Sequence, residues 1–92
     1  MKEYSKVIYG KKYTLRKEII YDLLVDDVWV SSSNSLDHLR GCLFERLLNR
    51  LYVISLGRLV VSSRVLECYH NTELFISCFK QEWGNNESPL QQ

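Results

Sequence analysis

Residues 34–51 read NSLDHLRGCLFERLLNRL and decide the fold of this chain. Leucine and phenylalanine recur here at intervals of three and four residues, the period of an amphipathic helix with one apolar face. That face is predicted to comprise Leu36, Leu43, Phe44, Leu47, Leu48 and Leu51. Asn34 or Ser35 is the predicted N-cap. Because Gly41 costs about 1 kcal/mol relative to alanine, we expect a firm helix only from Cys42 onward.

Five arginines in the middle of the chain form the candidate partner-binding set. Arg46 and Arg50 lie one helical turn apart beside the apolar face, and Arg40 projects onto that face, where it needs a counter-charge or a route to solvent. Arg58 and Arg64 follow. Because arginine makes planar, bidentate contacts and is enriched at interfaces, these residues are predicted to contact a partner. Pairing with neighbouring carboxylates is the alternative.

The chain before this helix predicts two β-hairpins. In the first, a β-forming run at residues 4–9 precedes the turn signal Gly10-Lys11, and β character resumes at residues 13–15. These runs are short and rich in β-branched and aromatic residues, which is typical of strands.

The second hairpin is predicted around Asp26-Asp27. Residues 19–25 and 28–30 supply the two apolar, β-branched runs that flank this turn. A short helix over residues 15–25 is the alternative, because short apolar runs are ambiguous by period alone. The serine-rich stretch 31–35 then marks the boundary with the helix.

After the helix, the pattern favours β structure again. Residues 52–55 predict a strand and Leu56-Gly57 a tight turn. A third hairpin is predicted beyond it, with β character at residues 59–61 and 65–66 and a bend or bulge at Ser62-Ser63.

The last predicted element is a helix capped by Asn71 or Thr72. Its inner face is predicted to comprise Leu74, Phe75, Cys78, Phe79 and Trp83. Gly84 is predicted to end the helix, so residues 1–84 form one domain and residues 85–92 a polar, flexible tail.

These elements predict a single α+β domain. We expect an antiparallel sheet of about four to six strands with two helices on one face, in the order hairpin, hairpin, helix, hairpin, helix. With 92 residues, the chain has room for one core.

The charge balance narrows the function. Twelve basic and eleven acidic residues leave a net charge of +1, unlike a strongly basic nucleic-acid-binding domain or a strongly acidic mimic of DNA. Lys11 and Lys12 nevertheless cluster at the first hairpin turn, interleaved with Tyr9 and Tyr13. Contact with phosphates and stacking on unpaired bases is one interpretation of this cluster. Protection of the sheet edge is the other.

Signals for catalysis or metal binding are sparse. His38 and Cys42 are four residues apart, and Cys68 and His70 form a second pair, so together they could supply ligands for zinc. The sequence has no Cys-x-x-Cys motif, nucleophile elbow or glycine-rich phosphate loop. Burial of the cysteines as small apolar side chains is the simpler interpretation. We therefore expect a protein that is not an enzyme and needs no cofactor or metal.

Trp29 is a further candidate for partner contact. It stands between Val28 and Val30, so in a strand its side chain faces opposite to both. On an outer sheet face it would be a credible interface anchor.

The cellular compartment is inferred from the cysteines and the apolar runs. Three cysteines without a paired spacing, no apolar leader and no apolar run of membrane-spanning length favour a cytoplasmic protein with no membrane contact.

The last helix carries one resemblance to a known family. Residues 75–83 read FISCFKQEW. This resembles the Phe-Ile-Ser-x-Phe-Lys-x-x-Trp helix of a small type II anti-CRISPR inhibitor from phage, over nine residues of this chain. The resemblance implies a small α+β inhibitor of a host defence complex. This chain departs from the family in lacking a strongly acidic surface, so no site residue is carried over.

The leading prediction is therefore a non-enzymatic protein-binding module, a small phage or mobile-element inhibitor or regulator that occupies a surface on a host protein complex, including a nucleoprotein. A nucleic-acid-binding module that uses the Lys11–Lys12 hairpin is the first alternative. A structural or homodimeric subunit is the second, and both a monomer and a homodimer fit the sequence.

Overall fold

The structure, a computed structural model, describes residues 1–55 and 62–87, and the side chains of residues 1–55 and 64–81. Its described residues form one four-stranded antiparallel sheet and two helices, so the predicted α+β class is confirmed with four strands. The elements are β1 (Lys2–Ile8), β2 (Lys11–Lys17), β3 (Tyr21–Val25), β4 (Val28–Ser33), α1 (Leu36–Ile54) and α2 (Ser62–Glu87). The strands are adjacent in chain order, and both helices pack on one face.

Both predicted hairpins are confirmed, although the first turn is formed by Tyr9 and Gly10 and not by Gly10 and Lys11, since Lys11 already belongs to β2. Tyr9 and Gly10 connect β1 to β2 with φ of 51° and 81°, and Asp26 and Asp27 connect β3 to β4 with φ of 51° and 68°. Two successive residues with positive φ are the signature of the type I′ turn, whose twist matches that of the flanking strands. Residues 21–25 form a strand, so the alternative helix over 15–25 is wrong.

The core lies between the sheet and the helices. On the covered sheet face, alternate residues of the strands point toward α1 and α2, with Leu15 opposite both Tyr4 and Leu23. α2 covers β1, where Tyr4 meets Phe75 edge-on with ring centroids 5.0 Å apart, and α1 covers β3 and β4. Burial of these apolar side chains is the main stabilising term.

α1 begins at the predicted N-cap but extends into residues that were predicted to form a strand. The Ser35 Oγ accepts a hydrogen bond from the His38 N–H at 3.4 Å, and the helix is regular from Leu36, so Gly41 does not delay it. The helix continues to Ile54. The predicted strand over 52–55 is wrong. Tyr52, Val53 and Ile54 are exposed, and the helix continues through them because each added residue extends the backbone hydrogen-bond ladder, which ends with the Ser55 N–H donating to the Leu51 carbonyl oxygen. The fully buried positions of α1 are Leu39, Leu43, Leu47 and Leu51.

α2 corrects several predictions. It begins at Ser62, so the predicted bend at Ser62-Ser63, the strand at 65–66 and the cap at Asn71 or Thr72 are wrong, and it runs past Gly84 to Glu87. The buried positions of α2 recur with helical spacing and begin before the predicted cap: Cys68, Thr72, Phe75, Ile76 and Phe79.

Two residues of the predicted inner face of α2 are less buried than expected. Leu74, predicted to face inward, is exposed, and Cys78 is half-buried. The Trp83 side chain, the predicted turn at 56–57, the strand at 59–61 and residues 88–92 lie outside the part of the chain that the structure describes.

Candidate functional site

The fold brings three of the predicted partner-binding residues together. Lys11 from β2 and Arg46 and Arg50 from α1 line one open groove of about 390 Å³, here called the basic groove. The other residues that line it are Tyr13, Val25, Glu45, Asn49 and Val53. The groove lies where the start of β2 and the end of β3 face the second half of α1. Both hairpin turns are therefore next to it.

Arg50 is held in place by the first hairpin turn. Its Nε–H donates to the Tyr9 carbonyl oxygen at 3.1 Å, and its Nη2 lies beside Gly10. Tyr9 itself has a positive φ, which is uncommon for a bulky residue and costs energy that surrounding contacts must offset. Arg50 therefore enters the groove in an orientation fixed by the backbone.

Contacts from α2 fix Tyr9 in turn. Its hydroxyl accepts a hydrogen bond from the Asn71 Nδ2 at 3.2 Å and lies 4.0 Å from the buried Cys68 Sγ. Burial and the neighbouring Cys68 raise the pKa of Tyr9 well above its usual value, and burial also raises the pKa of Cys68. Both groups are neutral near pH 7, so this contact anchors the turn and does not present a reactive thiolate.

Arg46 differs from Arg50 in having no hydrogen-bond or ion-pair partner among the residues that the structure describes. It is exposed, and within residues 1–55 and 64–81 it makes no hydrogen bond or ion pair. Lys11 makes a loose ion pair, with its Nζ 3.6 Å from the Asp26 Oδ2 in a half-exposed position. An exposed pair of this kind contributes about 0–1 kcal/mol, so an incoming anion can compete for Lys11.

Tyr13 forms the floor of the groove. Its side chain is 1% exposed, and burial raises the pKa of its hydroxyl while the nearby Arg50 and Arg46 oppose that rise. Among the described residues the hydroxyl has no hydrogen-bond partner, although it lines an open groove. It is thus a neutral donor available to a ligand oxygen.

The remaining arginines of the predicted set lie elsewhere. Arg40 is half-buried, with its Nε buried between the helices 3.0 Å from the Glu73 Oε2 of α2, and it also pairs with Asp37 of α1. Arg64 is exposed at the start of α2, with its Nη1 3.9 Å from the Glu67 Oε1. Arg58 lies outside the described residues.

Lys12 and Trp29 lie on the opposite sheet face, the outer face. Lys12 Nζ is 2.8 Å from the Asp27 Oδ1, and this hydrogen bond raises the pKa of Lys12. Trp29 is 59% exposed, and its indole N–H donates to the Ser32 Oγ at 2.7 Å. Trp29 pairs across the strands with Leu24, which is only 8% exposed although it is not part of the main core.

Of the two His/Cys pairs proposed as zinc ligands, only His38 and Cys42 lie in contact with each other. The Cys42 Sγ lies 3.8 Å from the His38 Nε2, whereas Cys68 is buried against Tyr9. In the described part of the chain no three His, Cys, Asp or Glu side chains lie close enough to hold one metal ion.

The sequence interpretation missed several residues of the basic groove. Glu45, Asn49 and Val53 are spaced four residues apart and run beside Arg46 and Arg50, so helical spacing alone could have placed all five on one exposed strip. The contribution of Tyr13 and Val25 depends on long-range packing and has no local signal.

Comparison of the chain with protein-family models, curated proteins and solved structures gives no match. Within the described residues, neither helix combines enough length and apolar character to cross a lipid bilayer.

Proposed function

We propose that this protein is a non-enzymatic binding module that holds an acidic segment of a partner protein in the basic groove. The observation that carries the proposal is Arg46, which is exposed, has no ion-pair partner in the described part of the chain, and lies one turn from the backbone-fixed Arg50. A fixed arginine loses less side-chain entropy on binding, which favours affinity. Arginine beside apolar side chains is also the composition typical of protein interfaces.

The biological role we propose is that of a small phage or mobile-element inhibitor or regulator in the host cytoplasm. It would act by covering a surface of a host defence complex. Support for this class comes from the small single domain and from the resemblance of residues 75–83, and it is an argument by analogy.

Nucleic acid is the weaker candidate for the partner. Lys11 and Lys12 point to opposite faces of the sheet, and each lies beside an aspartate of the second turn. Their charge is therefore partly neutralised at the very hairpin that the alternative would use. Binding to nucleic acid predicts a steep loss of affinity with salt, which the same experiment measures.

The test compares Arg46→Glu with Arg64→Glu. The wild type and both variants are used as tagged bait in a bacterial lysate, with and without nuclease and at low and high salt, and the retained proteins are quantified by mass spectrometry. Because charge-assisted hydrogen bonds contribute about 1.5–3 kcal/mol each, we expect Arg46→Glu to reduce retention of one specific protein at least about tenfold. Arg64→Glu, the matched control on α2, should retain it fully.

Equal retention by all three baits would refute a partner site in the basic groove. Retention that disappears with nuclease would replace the protein partner with nucleic acid. Cross-linking of the retained partner should place its contact beside α1 of this protein.

A further inference from the structure

Building on the proposed function, we infer that the basic groove recognises a single carboxylate group, an aspartate or glutamate side chain with an apolar neighbour, rather than a phosphate. The inference deepens the proposal, because it names the chemical group that the partner must present. It depends on the charge, donor geometry and walls of the groove.

The charge of the groove suits a monoanion. Among the described residues, Lys11, Arg46 and Arg50 are opposed by Glu45 in the lining and by Asp26 beside Lys11, which leaves one uncompensated positive charge. A hydrogen bond from the Lys12 N–H to the Asp26 Oδ1 lowers the pKa of Asp26, so that carboxylate stays charged near pH 7. A carboxylate balances this charge, whereas a phosphate of about −1.5 to −2 would leave excess negative charge beside Glu45.

The donors also fit a planar oxyanion. The Nε–H of Arg50 is occupied by the Tyr9 carbonyl, so only its terminal nitrogens remain for a ligand. Arg46 offers an entire guanidinium fork, which matches the two oxygens of a carboxylate. The Tyr13 hydroxyl adds one neutral donor from the floor.

The walls of the groove limit the size and polarity of the side chain that can bind next to the carboxylate. Val25 and Val53 line the groove from β3 and α1, and its volume of about 390 Å³ is near the lower end of the range for ligand sites. One acidic side chain and one apolar neighbour fill such a space. This predicts a short Asp/Glu-apolar element and does not call for a long acidic tract.

The experiment is an NMR titration of the ¹⁵N-labelled full chain with three capped dipeptides: acetyl-Glu-Leu-amide, acetyl-Gln-Leu-amide and acetyl-phosphoserine-Leu-amide. With such small probes we expect a dissociation constant on the order of 1 mM for the glutamate peptide. Saturable shifts should occur at the Arg46 and Arg50 Nε–H and along residues 45–50. The glutamine and phosphoserine peptides should each bind at least about threefold more weakly.

Arg46→Gln is the matched variant, because Arg46 makes no hydrogen bond or ion pair within residues 1–55 and 64–81 whose loss would disturb the fold. It should weaken the glutamate peptide about tenfold while the backbone spectrum stays unchanged. A phosphoserine peptide that binds more tightly, a glutamine peptide that binds equally, or no saturable shift with any probe would overturn the carboxylate assignment. The proposed function would fail separately, through equal retention of the partner by wild type and Arg46→Glu.

Discussion

Replacing glycine by alanine should change the free energy of unfolding in opposite directions at Gly10 and Gly41, because the two residues have different backbone conformations. Gly10 has φ of 81°, and an added Cβ would meet only Arg50 Nη2 at 3.6 Å, an ordinary contact. The cost of Gly10→Ala is therefore conformational, about 1–2 kcal/mol of unfolding free energy. Gly41 lies in α1 with open space around it, so Gly41→Ala should stabilise by about 0.5–1 kcal/mol. Urea unfolding of both variants checks the opposite signs, and two changes of the same sign would contradict the turn geometry.

Asp26 links stability to pH. Its pKa is lowered chiefly by the hydrogen bond from the Lys12 N–H and further by Lys11. A carboxylate whose pKa is lower in the folded state stabilises the fold above its unfolded pKa of about 4, and this contribution disappears as pH falls through the folded pKa. We expect Asp26→Asn to be less stable than wild type at pH 7 and equal to it near pH 2. A difference that persists at acid pH would show that the charge is not responsible.

At the scale of elements, the packing of α1 depends on a single row of buried leucines, one of which is Leu43. Leu43 is fully buried, whereas Leu66 on α2 is 66% exposed, so the same Leu→Ala change isolates burial. We expect Leu43→Ala to lower the free energy of unfolding by about 2–5 kcal/mol and Leu66→Ala to change it by less than about 0.5 kcal/mol. Chemical denaturation measures both. Similar losses for the two variants would contradict the assigned faces.

The sequence predicts the hairpins better than the second helix for a local reason. Gly10 and the Asp26-Asp27 pair favour positive φ, so each turn is encoded where it occurs. The start of α2 is encoded by distant residues, since Val65 and the serines have weak helix propensity and Cys68 is buried against β-sheet residues. Tertiary packing decides such a segment, and a single sequence does not display it.

The site is predicted in part for the same reason. Helical spacing and chain order place Arg46 beside Arg50, but their meeting with Lys11 needs the helix to cross the sheet at one particular place. Arg40 pairs with Asp37 three residues earlier, which helical spacing allows, but its second partner, Glu73, depends on how α2 packs against α1.

At the scale of the whole molecule, the two faces of the sheet should act independently. Trp29 lies on the outer face and the basic groove on the helix side, so Trp29→Ala should leave binding of the glutamate peptide within about twofold of wild type. The same change uncovers Leu24 and should lower the free energy of unfolding by about 1 kcal/mol. The NMR titration and urea unfolding measure the two effects. A large loss of peptide affinity would instead show that both faces belong to one binding site.

The path of the chain also has a consequence for how it is made. Every strand pairs with its neighbour in sequence, so the meander and α1 can assemble while the ribosome is still synthesising the rest. The helix that covers β1 is α2, and Phe75 reaches Tyr4 only after that part of α2 has emerged. A nascent chain stalled before Ser62 would therefore expose the apolar side of its first hairpin, which makes the synthesis of α2 a step at which this protein is vulnerable to chaperone capture or aggregation.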